Sequence, residues 1–245
     1  MKHRRDSSSP FGQRLYFEVS EFEQMMEDVR GRAGDDVFTE GDGVDVDLAL
    51  FHGFGLEADY VKLPDGVLGR TVFNSSGRVE RVEVDRGLSD AAEHDRLARR
   101  RLRTTLAHEL GHVACHPQLF IEDSVTPSLF DPTQEPERAM PRLMCREASV
   151  GSFKYSGEWW EYQANQCMVA LLLPRRFFIN KANEVLTSLD CASVEDAVER
   201  DQGEDVLRAL ANCFDVSFEA TWYRLASTGF VPQSGGGQLP LHLRV

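Results

Sequence analysis

His108-Glu109-Leu110-Gly111-His112-Val113-Ala114-Cys115-His116 gathers three of the chain's seven histidines into one short run. The run lies in a segment with apolar residues at Leu102, Leu106, Leu110 and Val113, the repeat of a helix that buries one face. That pattern extends from Asp90 to about His116, where Pro117 ends it, and Asp90 with Glu93 three residues on reads as a capping box at its start. Residues four apart stack on one helix face, so His108 and His112 present imidazole nitrogens to one point while Glu109 projects beside them. In this spacing two imidazoles hold a metal ion and the glutamate acts as general base toward a water. His108 lies about 200° around the helix from Leu106, so the histidines are expected to face a cleft rather than the core.

A catalytic zinc takes three protein ligands, so a third must come from elsewhere in the chain. Glu161-Tyr162-Gln163-Ala164-Asn165, on a helix expected from about Glu158 to Pro174, offers Glu161, with Glu158 the nearest alternative. Asn165, one turn later, is placed to hydrogen-bond the far nitrogen of a ligating histidine. Ala164 is small enough for two helices to approach closely, and Gly111, costing about 1 kcal/mol in a helix relative to alanine, points to the same close approach. His116 is expected to cap the helix C-terminus, with a substrate or outer-sphere role as the alternative. Tyr155 and Tyr162 are candidates for substrate or transition-state contacts beside a structural role. Two imidazoles and a carboxylate favour zinc, with manganese the second choice.

Working outward, residues 1–13, with Ser7-Ser8-Ser9-Pro10, are expected to be a disordered lead, and 233–245, with three successive glycines, a flexible tail. Helices are expected over Val19 to Arg32 and Val44 to Phe54. Tyr60 to Leu63, Gly69 to Phe73 and Arg78 to Val84 are short β-prone runs, the last two separated by the turn signal Asn74-Ser75-Ser76-Gly77, which gives a small antiparallel sheet. Prolines at 117, 127, 132, 136 and 141 preclude a long regular element before Gly157, apart from one short helix around Arg138 to Arg146. Helices follow over Arg175 to Leu186, Ser193 to Arg200, Asp205 to Phe214 and Phe218 to Ser227. The fold class is therefore α+β, with residues 14–175 as the main domain and 176–232 as a helical, helix-turn-helix-like subdomain.

The chain carries 27 Lys and Arg against 40 Asp and Glu, a net charge of −13, which opposes non-specific binding to nucleic acid. The helix-turn-helix-like unit has no basic face either, since Asp205, Asp215 and Glu219 offset Arg208 and Arg224. Arg96, Arg99, Arg100, Arg101 and Arg103 are a local exception, read as a helix face paired to surplus carboxylates. The longest apolar run, Met168 to Leu173, is far short of the roughly 20 residues of a membrane span. Five cysteines without a C-x-x-C pair fit a reduced, cytoplasmic protein, with Cys115 and Cys145 as inert buried thiols. Trp159 and Trp160 are expected in the core and on a cleft wall.

Thr104-Thr105-Leu106-Ala107-His108-Glu109-Leu110-Gly111-His112, then Glu161-Tyr162-Gln163-Ala164-Asn165 and Leu171-Leu172-Leu173-Pro174, resemble the ImmA/IrrE family of metallo-endopeptidases over about residues 15 to 230. The resemblance implies a zincin-like, gluzincin-type core. It implies His108, His112 and Glu161 as metal ligands and Glu109 as base. It also implies a protein substrate, a helix-turn-helix transcriptional repressor whose cleavage switches on stress or mobile-element genes. The alternative is a regulatory protein that binds a repressor or DNA through its C-terminal helices without hydrolysis.

Overall fold

A computed structural model describes residues 1–34, 43–121, 142–146 and 157–231. The first residues correct the expectation of a disordered lead. Strand β1 (Lys2–Arg5) pairs antiparallel with β2 (Gln13–Tyr16), Lys2 opposite Tyr16 and Arg5 opposite Gln13. The serine run is the connection between them, begun by Asp6 Oδ1, which accepts from the Ser8 N–H at 3.0 Å. Leu15 is fully buried, and Phe11 meets Phe120, Trp159 and Trp160 edge-on at centroid distances of 5.6, 6.0 and 5.1 Å. Such aromatic pairs contribute about 0.5–1.5 kcal/mol each beyond their buried area, enough to order a stretch whose polar composition reads as loose.

Helix α1 (Val19–Ala33) starts at a reciprocal cap between Glu18 and Glu21 and buries Phe22, Met26 and Val29. Helix α2 (Val46–Phe54), capped by Asp45, packs against it. Among the described residues the sheet has four strands in the order β3-β5-β4-β6, namely β3 (Ala58–Val61), β4 (Val67–Phe73), β5 (Val79–Asp85) and β6 (Arg142–Arg146). The sheet is mixed, not wholly antiparallel: β3 runs parallel to β5, with Tyr60 opposite Val84, while β4 is antiparallel to both β5 and β6. Residues 142–146 thus form an edge strand where a short helix was expected. Pairing with β4 is a non-local hydrogen-bond ladder, which outweighs the weak helical preference of so short a run.

The expected long helix from Asp90 is two helices. Asp85 caps α3 (Arg86–Ala92) directly after β5, accepting from the Leu88 N–H at 3.1 Å, so Asp90 falls inside a helix already begun. Asp95 then caps α4 (Arg96–Cys115), accepting from the Leu97 N–H at 2.9 Å, and its extended backbone makes the break. A short 3-10 turn, Pro117–Phe120, follows α4. Helix α4 lies between the sheet, against β4 and β5, and α5 (Trp159–Leu172), so the whole stretch from Thr105 to Val113 is buried. Burial of Leu106 and Leu110 contributes about 1.5–3 kcal/mol each, more than the helix penalty of Gly111.

Four helices complete the described residues: α6 (Arg175–Ser188), α7 (Val194–Glu199), α8 (Gly203–Phe214) and α9 (Phe218–Thr228). The division expected at residue 175 falls between α5 and α6, whose buried residues belong to a single cluster that extends from Phe22 to Val231. The arginines of α4 do pair with acid: Arg96, Arg99 and Arg100 place Nε at 3.3, 3.3 and 3.0 Å from the Asp215 carboxylate, and Arg103 Nη1 lies at 3.4 Å. Among the described residues no helix is long and apolar enough to cross a membrane. The tail 233–245 lies outside the described residues.

Candidate metal centre

The centre is built where α4 and α5 come closest. A Cβ placed on Gly111 would meet the Ala164 carbonyl oxygen at 2.7 Å and its Cα at 2.9 Å, so this approach requires glycine on α4. It brings Glu161 of α5 over the histidines of α4. His108 Nε2 and His112 Nε2 are 3.0 Å apart, Glu161 Oε2 is 3.0 Å from the first, and Glu161 Oε1 is 3.4 Å from the second. Bonds of about 2.0–2.1 Å to a tetrahedral ion put ligand atoms about 3.3 Å apart, so the three groups have the spacing of one face of such a site. His108, His112 and Glu161 are the group among the described residues that could hold a metal ion.

The far nitrogens explain why the Nε2 atoms converge as acceptors. His108 Nδ1 lies 2.9 Å from Asn165 Oδ1, which can only accept, so that Nδ1 carries the proton and Nε2 keeps its lone pair. His112 Nδ1 lies 2.9 Å from His116 Nδ1, whose other nitrogen is 3.1 Å from Gln163 Oε1. Two lone pairs and a carboxylate pressed this closely together repel unless a cation lies among them, and the donor set fits a divalent ion. Burial pushes the His112 imidazole below its ordinary pKa, with Glu161 working against the shift. Burial, reinforced by His112, pushes His116 well below its own. At Glu161 burial opposes the charge, but His112 and His108 outweigh it and hold the carboxyl well below the usual range. A metal ion at this point would require both Nε2 atoms to keep their lone pairs and the carboxyl to be ionised.

Glu109 is fully buried between α4 and β4. Thr71 Oγ1 of β4 donates to Glu109 Oε2 at 2.6 Å, and Oε1 lies over Gly69, where a Cβ would come within 2.7 Å of it. One strand therefore fixes the carboxylate at its Oε2 and makes room for it at its Oε1.

The structure thus brings together His108, Glu109, His112, Glu161 and Asn165 as the spacing predicts. It corrects the expectation of a cleft: His108 and His112 have no exposed surface, because α5 crosses the face that helical angle alone leaves free. His116 ends α4 as expected of a cap residue, yet its ring bonds His112. Tyr162 interacts with Tyr223 of α9, and Tyr155 lies outside the described residues. Trp159 is in the core and Trp160 packs at its edge. Thr71, Gly69 and Gln163 escape the sequence reading, and Gln163 alone had a local signal, its place between Glu161 and Asn165. A separate cavity of about 1130 Å³ borders Leu97, Arg101 and Thr104 of α4, but none of the metal-site residues lines it.

Two histidines and a glutamate on paired helices, with a buried glutamate beside them, define a metallopeptidase-type centre. Residues 92–226, more than half of the chain, match the peptidase M78 family, the IrrE N-terminal-like domain, and the chain belongs to that family. The matched stretch holds α4 and α5 and leaves out the hairpin and strands β3 to β5. A comparison with curated proteins found no match.

Proposed function

We propose that this chain is a zinc-dependent endopeptidase that cuts a helix-turn-helix transcriptional repressor in the cytoplasm and so relieves repression of stress-response or mobile-element genes. The observation that carries the peptidase part is the convergence of His108 Nε2, His112 Nε2 and the Glu161 carboxylate within 3.0–3.4 Å, with Glu109 beside them. The repressor part rests on the family resemblance. His108, His112 and Glu161 would hold a zinc ion, which would supply Lewis acidity toward the scissile carbonyl and the attacking water. Glu109 takes the proton of the attacking water and passes it to the leaving amine nitrogen. Thr71 keeps Glu109 aimed, Asn165 keeps His108 aimed, and the buried site strengthens each of these interactions.

The non-hydrolytic reading gains no support from the charges of the C-terminal helices. Arg224 is 2% exposed and pairs with Glu23, Arg208 pairs with Glu204, and Asp215 draws in the arginines of α4. The test compares cells expressing the wild type with cells expressing Glu109→Gln by labelling new protein N-termini. New termini confined to the wild type and falling in a repressor are the expected result. Identical sets of termini in the two strains would remove the peptidase reading, and termini in unrelated proteins alone would remove the repressor.

A further inference from the structure

His112 is the one ligand whose outer partner is another histidine, and the partner chain continues past it. Gln163 Nε2 donates to the backbone carbonyl of Leu15 in β2 at 2.8 Å. A carbonyl only accepts, so this bond fixes the orientation of the Gln163 amide and turns Oε1 toward His116. Oε1 in turn only accepts, so His116 Nε2, 3.1 Å away, carries a proton. His116 has no exposed surface, and its ring nitrogens face an amide and an imidazole. On the metal-site reading His112 Nε2 keeps its lone pair for the ion, so His112 Nδ1 carries the proton and donates to His116 Nδ1, 2.9 Å away. The only lone pair left on His112 is at Nε2, which faces His108 Nε2 and Glu161.

We propose that His116 and Gln163 are positioning residues for His112: with the Leu15 carbonyl they form a one-way hydrogen-bond relay that locks His112 in the tautomer able to ligate a metal. The inference rests on the metal-site reading above and deepens it. It makes the N-terminal hairpin, which lies outside the family match, the far anchor of the metal centre. It also explains why the two ligating histidines have different supports. Asn165 is held one turn beyond Glu161 on α5 and reaches His108 directly, whereas His112 is reached through a ring at the end of α4 that itself needs an anchor.

The test uses full-length protein and measures zinc affinity by competition with a chromophoric chelator, without reference to peptidase activity. His116→Leu fills the space and offers no acceptor, and weakens zinc binding by about 10–100-fold. His116→Asn restores an acceptor near the position of Nδ1, as Asn165 already provides for His108, and recovers affinity to within a few-fold of wild type. Equal affinity in wild type and His116→Leu, or equal loss in both variants, overturns the relay. A wild type that takes up no zinc overturns the metal reading and the relay with it. Long-range ¹H–¹⁵N spectra of the wild type give a second measurement that depends on no variant. They are expected to show His112 protonated at Nδ1 and His116 at Nε2, and the reverse assignment overturns the relay even if the variants fail to fold.

Discussion

Thr71 Oγ1 on the sheet donates to Glu109 Oε2 on α4 at 2.6 Å, so the carboxylate proposed as general base is held by a strand rather than by its own helix. A hydrogen bond to a charged group is worth about 1.5–3 kcal/mol. Thr71→Val keeps the shape and removes the donor, and is expected to lower kcat by about 10–100-fold while KM and metal content stay near wild type. Steady-state kinetics beside metal analysis checks this. Loss of metal in Thr71→Val would mean that the threonine supports the fold of the site and not the base.

At Gly111 two effects of opposite sign compete. Alanine gains about 1 kcal/mol of helix propensity, but its Cβ would meet the Ala164 carbonyl oxygen at 2.7 Å, and overpacking of this kind costs about 1–3 kcal/mol. The second effect is expected to dominate, because the contact is backbone to backbone and neither helix can yield alone. Gly111→Ala should destabilise the metal-free protein and weaken zinc binding together, since the same shift moves Glu161 away from the histidines. Urea unfolding of the metal-free protein decides the sign, and a net stabilisation would show that α4 and α5 have room to spare.

Asp215 lowers its own pKa by its contacts: burial works against its charge, but the hydrogen bond from Arg100 and the charge of Arg103 prevail. A depressed folded-state value contributes stability that is fully present above the unfolded value of about 3.9 and is lost as pH falls through the folded value. Asp215→Asn keeps a residue that tolerates the left-handed backbone at φ 50° and removes the charge from among Arg96, Arg99, Arg100 and Arg103. It should destabilise by about 1–3 kcal/mol at pH 7, with the difference from wild type shrinking below pH 4. Denaturant unfolding at pH 7 and pH 3 measures both values, and a difference that does not change with pH would mean the carboxylate's charge is not what matters.

What the sequence reveals of this site is what a helix encodes locally. His108 and His112, and likewise Glu161 and Asn165, share a face by periodicity, and Gly111 with Ala164 mark the contact by size alone. Thr71, Gly69 and the Leu15 carbonyl reach the site from strands far away in the chain, and no local period records which helix a strand will face. The same reason explains the misread elements. Strand β6 depends on β4 for its ladder, and the N-terminal hairpin depends on the aromatic contacts of Phe11 and the burial of Leu15. The full burial of the histidines follows from where α5 crosses α4, which is a property of the packing and not of either helix.

The centre concentrates polar groups in a core, and that gives metal removal a clear signature. His108, His112, His116, Glu109 and Glu161 are all buried, and without a cation two imidazole lone pairs face a carboxylate. A ligand that binds only the folded state at 100 times its Kd stabilises by about 2.7 kcal/mol. Zinc is therefore expected to raise Tm by several degrees in the wild type, and chelation to reverse this. In Glu161→Ala the rise should vanish, because two histidines alone hold the ion weakly. In Glu109→Gln it should persist in full while cleavage is lost, because that carboxylate is bound to Thr71 and not placed among the ligand atoms. Thermal melts of the three proteins with and without zinc separate ligand from base. A rise that survived in Glu161→Ala but disappeared in Glu109→Gln would reverse the two roles assigned here.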